Sequence, residues 1–127
     1  MRGLLSRLLG NKGERLAAKH LCRQGFRILA RQYSTPPGEI DLIARDGNTI
    51  VFVEVKTRRS TSAGHPLEAI TPAKQQQLTR LALAWLKRHR LLNHRARFDV
   101  VAIVWPDDDN EIDIQHVKNA FEATGCG

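Results

Sequence analysis

The chain has 127 residues, and 42% of them are hydrophobic. This length and composition are typical of one folded domain with its own core, and they exclude an intrinsically disordered protein. The two cysteines have no metal-binding or disulfide-framework spacing, and the leucine pairs near the start are too short for a signal peptide or a membrane helix, so we expect a cytoplasmic protein.

Positive charge is unevenly distributed along the chain. Twenty Lys and Arg residues face thirteen Asp and Glu residues, which gives a net charge of +7. Residues 1–31 contain eight basic residues and one acid, and residues 74–97 contain seven basic residues and no acid. A solvated basic surface would have this pattern, and so would a face that binds a polyanion. We therefore expect a nucleic-acid partner and no membrane association.

Two segments have the apolar spacing and the end signals of long helices. The first covers residues 11–24, with Asn11 as its N-cap. In the second, Thr71 caps and Pro72 opens a helix that runs to about His89.

The remaining segments are predicted to form strands, loops and a last helix. Strands are predicted over residues 26–32, 40–44, 49–57, 98–105 and 112–116, loops over 58–66 and 106–110, and a helix over 117–123. The order α-β-β-β-α-β-β-α predicts one mixed sheet with helices packed on it. The strand over 98–105 is apolar throughout, so we expect it to be covered on both faces. We assign residues 1–127 to a single domain, with a core over about 10–104 and a strand-and-helix extension over 105–127.

Charged residues interrupt the apolar strands of a predicted hairpin. They are Glu39 and Asp41 in the first strand and Glu54 and Lys56 in the second. A loop with an even number of residues puts all four charges on one face, because side chains alternate with a period of two. The opposite face would then hold Ile40, Leu42, Val51, Val53 and Val55. An odd loop would mix charges with valines on both faces, so the even loop is the more consistent prediction.

Glu14 heads the apolar stripe of the first helix, which continues through Ala17, Ala18 and Leu21. The solvent face of that helix is expected to carry the basic residues. An inward acid at this place either complements the helix dipole or joins the charges of the hairpin.

Several carboxylates buried together are strongly unfavourable unless they are compensated, and Lys56 balances only one. Two explanations remain from the residues alone. One is an internal salt-bridge network, and the other is a divalent cation bound by carboxylate oxygens, a ligand set that suits Mg²⁺. A cation, an ammonium group and a basic surface together are typical of metal-assisted phosphodiester hydrolysis.

These residues resemble a known nuclease signature. Asp41, followed on the next strand by Glu54-Val55-Lys56, is similar to the D…(D/E)xK pattern of restriction-endonuclease-like nucleases. The segments GER (13–15) and GFRIL (25–29) resemble archaeal Holliday junction resolvases. GEIDLI (38–43), FVEVKTR (52–58), Lys74 and RFDVV (97–101) resemble the YraN family of predicted endonucleases, over about residues 10–104. The resemblance implies an α/β fold with a restriction-endonuclease-like core, an αβββαβ mixed sheet flanked by helices.

The resemblance also implies a role for each site residue. Asp41 and Glu54 would bind Mg²⁺ or Mn²⁺ together with the backbone carbonyl of Val55, and Glu14 would contact the metal directly or through water. Lys56 would position or activate the attacking water and stabilise charge in the transition state. The implied function is a metal-dependent endonuclease acting on DNA, including branched or structured DNA. The alternative is a non-catalytic nucleic-acid-binding accessory protein that keeps the nuclease fold.

Further residues have roles that the sequence leaves open. Candidates for contacting nucleic acid are Arg15, Glu39, Arg58, Arg59 and Lys74. Glu39 either lines the site, binds a second metal or pairs with a basic residue, and Lys74 is equally consistent with a surface position. Asp99 belongs to the family-like RFD segment, or it simply pairs with Arg97. Resolvases cut two symmetric strands as dimers, so a homodimer is also open.

Overall fold

A mixed five-stranded sheet forms the centre of the fold. The computed structural model describes residues 2–36, 38–59, 66–105 and 111–123, and of residues 2–11 only the backbone. In chain order the elements are α1 (Arg2–Arg23), β1 (Arg27–Thr35), β2 (Gly38–Asp46), β3 (Thr49–Arg58), a 3-10 turn (Pro66–Ala69), α2 (Pro72–Arg88), β4 (Arg95–Val104) and β5 (Asp113–Phe121). The strands lie side by side in the order β1-β2-β3-β4-β5. Only β3 and β4 are parallel, and α2 forms the crossover that a parallel pair requires.

The hydrophobic core lies in two layers, one on each face of the sheet. The layer under α1 includes Ala17, Ala18, Leu21, Leu42, Val51, Val53, Val101 and Ile103. The layer under α2 includes Ile40, Ile43, Phe52, Leu78, Leu81, Trp85, Phe98 and Val100. The predicted fold class is therefore confirmed: this is an α/β fold consistent with a restriction-endonuclease-like core.

The β2–β3 hairpin has the predicted even loop. Asp46 pairs with Thr49, so two residues form the turn, and Gly47 takes the positive φ of 59° that such a turn needs. One part of the face assignment is wrong. Ile40 packs in the layer under α2 and Leu42 in the layer under α1, although we expected them on the same face. The alternation breaks where the β2–β3 ladder ends, at the Leu42–Val53 pair.

The second helix and the strand after it agree closely with prediction. Thr71 caps α2, its Oγ1 accepting a hydrogen bond from the Lys74 backbone N–H at 3.2 Å, and Pro72 occupies the first turn. β4 lies between β3 and β5, and residues 98–103 are buried, with alternate side chains in the two layers. Covering on both faces is thus confirmed for β4.

The predicted helix over residues 117–123 is wrong, and the strand predicted over 112–116 is longer than expected. Residues 113–121 form β5, which pairs with β4 around a bulge between Phe98 and Val100. The ring centroids of Phe121 and Phe98 lie 4.6 Å apart in a stacked arrangement. The pairing of β5 with β4 thus packs Phe121 against the core. The first helix begins at Arg2 rather than at Asn11.

Residues 60–65 of the predicted loop over 58–66 lie outside the described residues, and so does the whole predicted loop over 106–110. Among the residues that the structure describes, no helix has the length and apolar character needed to cross a membrane.

Candidate metal centre

Three carboxylates meet beside the start of β2. Glu14 from α1 and Glu39 and Asp41 from β2 each have an oxygen within 4.8 Å of those of the other two. Glu14 and Asp41 are half-buried, and Glu39 is exposed. The sequence predicted Glu14 and Asp41 at one site, and Glu39 now joins them as a full member of this acid cluster.

Two glycines allow the helices to come close to the sheet at the cluster, and each directly precedes one of its acids. A β-carbon on Gly13 would overlap Oγ1 of Thr57 in β3. A β-carbon on Gly38 would lie 2.8 Å from the Leu81 side chain of α2. Real β-carbons do not come this close to neighbouring atoms, so glycine at both positions allows these approaches without a shift of the neighbouring side chains. The result is that α1 presents Glu14, and β2 presents its acids, at the same point.

Asp41 is held by the backbone of β3. The regular ladder of β2 and β3 ends at the Leu42–Val53 pair. Beyond it, the Val55 N–H donates to Oδ2 of Asp41 at 2.7 Å, so the carboxylate supplies a strand N–H with its acceptor. The role of the Val55 carbonyl as a metal ligand stays a prediction.

Glu14 is oriented by a residue that the sequence did not single out. Nε2 of Gln32 donates to Oε2 of Glu14 at 2.8 Å. Gln32 has a φ of 50° in the middle of β1, a left-handed conformation that is uncommon for a side-chain-bearing residue. No local pattern predicts such a backbone, so this contact was not visible in the sequence.

Glu54 and Lys56 lie next to the acid cluster on β3. Glu54 is 7% exposed, and its Oε1 lies 3.6 Å from Nζ of Lys56. Its second oxygen, Oε2, is buried and has no hydrogen-bond partner. Glu54 is not one of the three carboxylates within 4.8 Å of each other, but the charge of Asp41 acts on it.

Burial and mutual repulsion raise the pKa values of Glu54, Asp41 and Glu14. Loss of solvent, and then the charge of Asp41, raises the pKa of Glu54 to about 7, against the opposing charges of Lys74 and Lys56. Burial also raises the pKa of Asp41, although the Val55 N–H lowers it in part. The pKa of Glu14 is raised by burial and then by Asp41. The site therefore holds more negative charge than its own cations neutralise.

The composition of the site fits a divalent cation. Four carboxylates, from Glu14, Glu39, Asp41 and Glu54, face the ammonium groups of Lys56 and Lys74, which act on the inner acids. Full ionisation leaves an excess of two negative charges, which one divalent cation balances. Carboxylate oxygens are the ligands that Mg²⁺ and Mn²⁺ prefer, and the unpartnered Oε2 of Glu54 is a free ligand atom. The acid cluster could thus hold a metal ion.

The other predicted binding residues lie on α1, on α2 and at the end of β3. Lys74 lies in the first turn of α2 and lines one surface cavity together with Glu39. Its charge lowers the pKa of both Asp41 and Glu54. Arg58 is half-buried at the end of β3, and Arg59 follows it in an exposed position. Arg15 is exposed on α1. Their contacts with nucleic acid stay predictions.

The family model for the uncharacterised protein family UPF0102 matches residues 13–103. The chain belongs to this family. It is 50% identical to the UPF0102 protein of Geobacter sulfurreducens over 92% of this chain and 91% of the relative. It is 48% identical to the relative from Geobacter metallireducens, over 94% and 96% of the two chains, and 48% identical to that from Caldicellulosiruptor saccharolyticus, over 91% and 98%. UPF0102 is the YraN family, so the predicted resemblance to the YraN family is confirmed.

In this UPF0102 protein, Asp99 is a buried residue whose carboxylate bonds to other residues of β4 and β5. It is fully buried and accepts hydrogen bonds from Nε of Arg97 at 2.9 Å and from the Asn119 backbone N–H at 3.0 Å, and its Oδ2 lies 2.7 Å from Nε2 of His116. These partners lower the pKa of Asp99 although burial acts in the opposite direction. Asp99 pairs with Arg97, as one of the two alternatives predicted, and it joins β4 to β5 across their bulge.

Proposed function

We propose that this UPF0102 protein is a divalent-metal-dependent endonuclease that hydrolyses phosphodiester bonds in DNA, including branched or structured DNA. The observation that carries the proposal is the buried, unpartnered Oε2 of Glu54, beside Asp41 and Lys56. A buried carboxylate oxygen without a partner is strongly unfavourable, so its retention is best explained by a ligand that binds there. The oxygen donors around it favour a hard divalent cation.

The chain's own residues then have distinct tasks. Asp41 and Glu54 would hold the cation, with Glu14 and Glu39 completing its surroundings, and Gln32 and the Val55 N–H keep two of these carboxylates in place. A bound divalent cation supplies charge neutralisation for the phosphate and a bound water that ionises readily. These tasks would be shared among residues from α1, β2 and β3.

Two ammonium groups lie next to these acids. Lys56 follows Glu54 by two residues on the same strand, so both side chains leave the same face. From there Lys56 would orient the attacking water and stabilise the negative charge that develops on the phosphate. Lys74, whose charge acts on both Asp41 and Glu54, would contact the phosphate from the α2 side. The net charge of +7 supports a polyanionic substrate.

The decisive experiment measures cleavage of labelled linear duplex, single-stranded, flapped and four-way DNA, each with Mg²⁺, Mn²⁺ or EDTA. The wild-type protein is compared with Asp41→Asn, Glu54→Gln and Lys56→Gln. The matched control is Glu111→Gln, which neutralises an exposed carboxylate far from these strands in sequence. Cleavage should require metal, persist in the control and fall by at least a hundredfold in the three site variants.

Each other outcome has a definite meaning. Equal activity in the wild type and the site variants would indicate a contaminating nuclease and reject the catalytic assignment. DNA binding without cleavage in either metal would replace the nuclease with the accessory-protein function. Sedimentation of the protein alone and with four-way DNA would decide between a monomer and a homodimer.

A further inference from the structure

α1 has two opposite faces with opposite charge. Its inner face carries the buried residues of the core layer together with Glu14. Its outer face carries four exposed cations at spacings of three and four residues, which we name the α1 basic stripe: Lys12, Arg15, Lys19 and Arg23. No ion pair within the described parts of the chain involves any of these four side chains. The stripe is thus a line of unneutralised charge.

Arg31 extends this surface onto the sheet. The edge strand β1 runs back along α1, because the Phe26 N–H bonds to the Leu21 carbonyl at one end and Gln32 bonds to Glu14 at the other. Arg31 pairs with Leu42, whose side chain lies in the layer under α1, and cross-strand partners project to the same face. Exposed Arg31 therefore projects on the same side of the sheet as α1.

The dimensions of this surface match a double helix. The stripe runs from Lys12 to Arg23, a rise of about 16 Å along the helix, which is the length of roughly five base pairs. Across α1, the outer face lies about 10–12 Å from the inner face that carries Glu14. The two backbones of B-DNA are separated by grooves of about 6 and 12 Å. One helix therefore places its stripe and its carboxylate at a separation comparable with that of two strands of one duplex.

We propose that the α1 basic stripe binds the phosphates of the uncut strand of a duplex arm, while the strand to be cut lies at the acid cluster. This inference rests on the proposed function and adds the substrate class, a site flanked by double-stranded DNA. A single strand at the acid cluster lies on the side of α1 that carries Glu14 and leaves the outward-facing stripe uncontacted. The acid cluster repels phosphate without metal, so the stripe carries most of the metal-independent affinity.

The test compares two triple variants that both reduce the net charge from +7 to +4. The stripe variant is Arg15→Gln, Lys19→Gln and Arg23→Gln. The matched control is Arg80→Gln, Lys87→Gln and Arg88→Gln, three exposed cations of α2. Binding to a fluorescent duplex is measured by anisotropy in EDTA between about 50 and 300 mM salt. Over this range the Debye length falls from about 14 Å to about 6 Å. Urea unfolding of each variant establishes that both retain the fold.

The stripe variant should bind the duplex roughly a hundredfold more weakly than the wild type at about 0.1 M salt. The slope of the logarithm of the binding constant against the logarithm of the salt concentration should become shallower by about 2.7, which is roughly 0.9 for each of the lost phosphate contacts. The control should lose no more than about threefold in affinity, as expected from non-local charge. With Mg²⁺, the stripe variant should lose kcat/KM on duplex-flanked substrates and retain it on single strands. Equal losses in the two triple variants, or an unchanged slope in the stripe variant, would overturn the proposal.

The results separate this inference from the proposed function. A stripe-dependent slope in a protein that cleaves nothing would keep the duplex-binding surface and reject the nuclease. Cleavage of a duplex that is unaffected by the stripe substitutions would keep the nuclease and reject the surface. Equal losses of kcat/KM on duplex-flanked and single-stranded DNA would refute the assignment of the stripe to the uncut strand.

Discussion

Replacing Glu54 with Gln is expected to stabilise the metal-free protein at pH 8 and to have little effect at pH 5. Burial and the charge of Asp41 raise the pKa of Glu54 from its ordinary 4.5 to about 7 in the folded protein. The folded state therefore holds this proton more tightly than the unfolded state, and stability falls as the pH rises from about 4.5 through 7. At about 1.4 kcal/mol per pKa unit, ionising Glu54 in the fold costs roughly 3 kcal/mol, of which about 2.5 kcal/mol develops between pH 5 and pH 8.

Urea unfolding curves in EDTA at several pH values measure this effect directly. The free energy of unfolding of Glu54→Gln relative to wild type should rise by about 2–3 kcal/mol from pH 5 to pH 8. Glu111→Gln, at an exposed position, should show no comparable trend. Mg²⁺ should remove the difference at pH 8 by stabilising only the wild type, by about 2.7 kcal/mol at a hundred times its Kd. A difference that does not depend on pH would refute the burial of a charge at this position, and a Mg²⁺ effect of equal size in both proteins would refute Glu54 as a ligand.

Three further substitutions test the surroundings of the site, each by urea unfolding. Gly13→Ala should lower the free energy of unfolding by about 1–3 kcal/mol and weaken Mg²⁺ binding, because the added β-carbon overlaps the Thr57 side chain. Adding Thr57→Ala should restore both the stability and the Mg²⁺ affinity, and a double variant without this recovery would disprove the contact. Asp99→Asn should cost about 3–5 kcal/mol, since it removes the charge of a fully buried carboxylate that accepts from Arg97 and from the Asn119 N–H. The exposed Asp113→Asn should be nearly neutral, and similar losses in the two variants would contradict this account. Thr71→Ala should cost about 1 kcal/mol by removing the N-cap of α2, and Thr71→Ser should not; a harmless alanine would show that the cap contributes nothing.

The site strands were predictable because their signals are local. The Asp46–Thr49 pair closes a two-residue turn for which the sequence offers Gly47, and alternation then brings Glu54 and Lys56 to one face. Both ends of α2 were equally visible, since a capping threonine and a proline in the first turn act within a few residues of each other.

The errors arose where long-range contacts prevail over local preference. Residues 117–123 have a composition that suits a helix, but pairing with β4 and the stacking of Phe121 on Phe98 make residues 113–121 a strand. Ile40 leaves the face of Leu42 because the ladder that enforces alternation ends between them and Asp41 bonds to the backbone of Val55. The contact of Gln32 with Glu14 needs a backbone conformation that no neighbouring residue specifies.

The sequence by itself determined the type of sheet, the second helix and the presence of acids and a lysine on neighbouring strands, because turn chemistry, capping and side-chain periodicity act over a few residues. Only the tertiary structure decided which carboxylates meet. Glu39 joins Glu14 and Asp41, while Glu54 lies beside them with a buried free oxygen. That arrangement depends on how closely two helices approach the sheet at Gly13 and Gly38, a distance set by the packing of distant segments rather than by any local pattern.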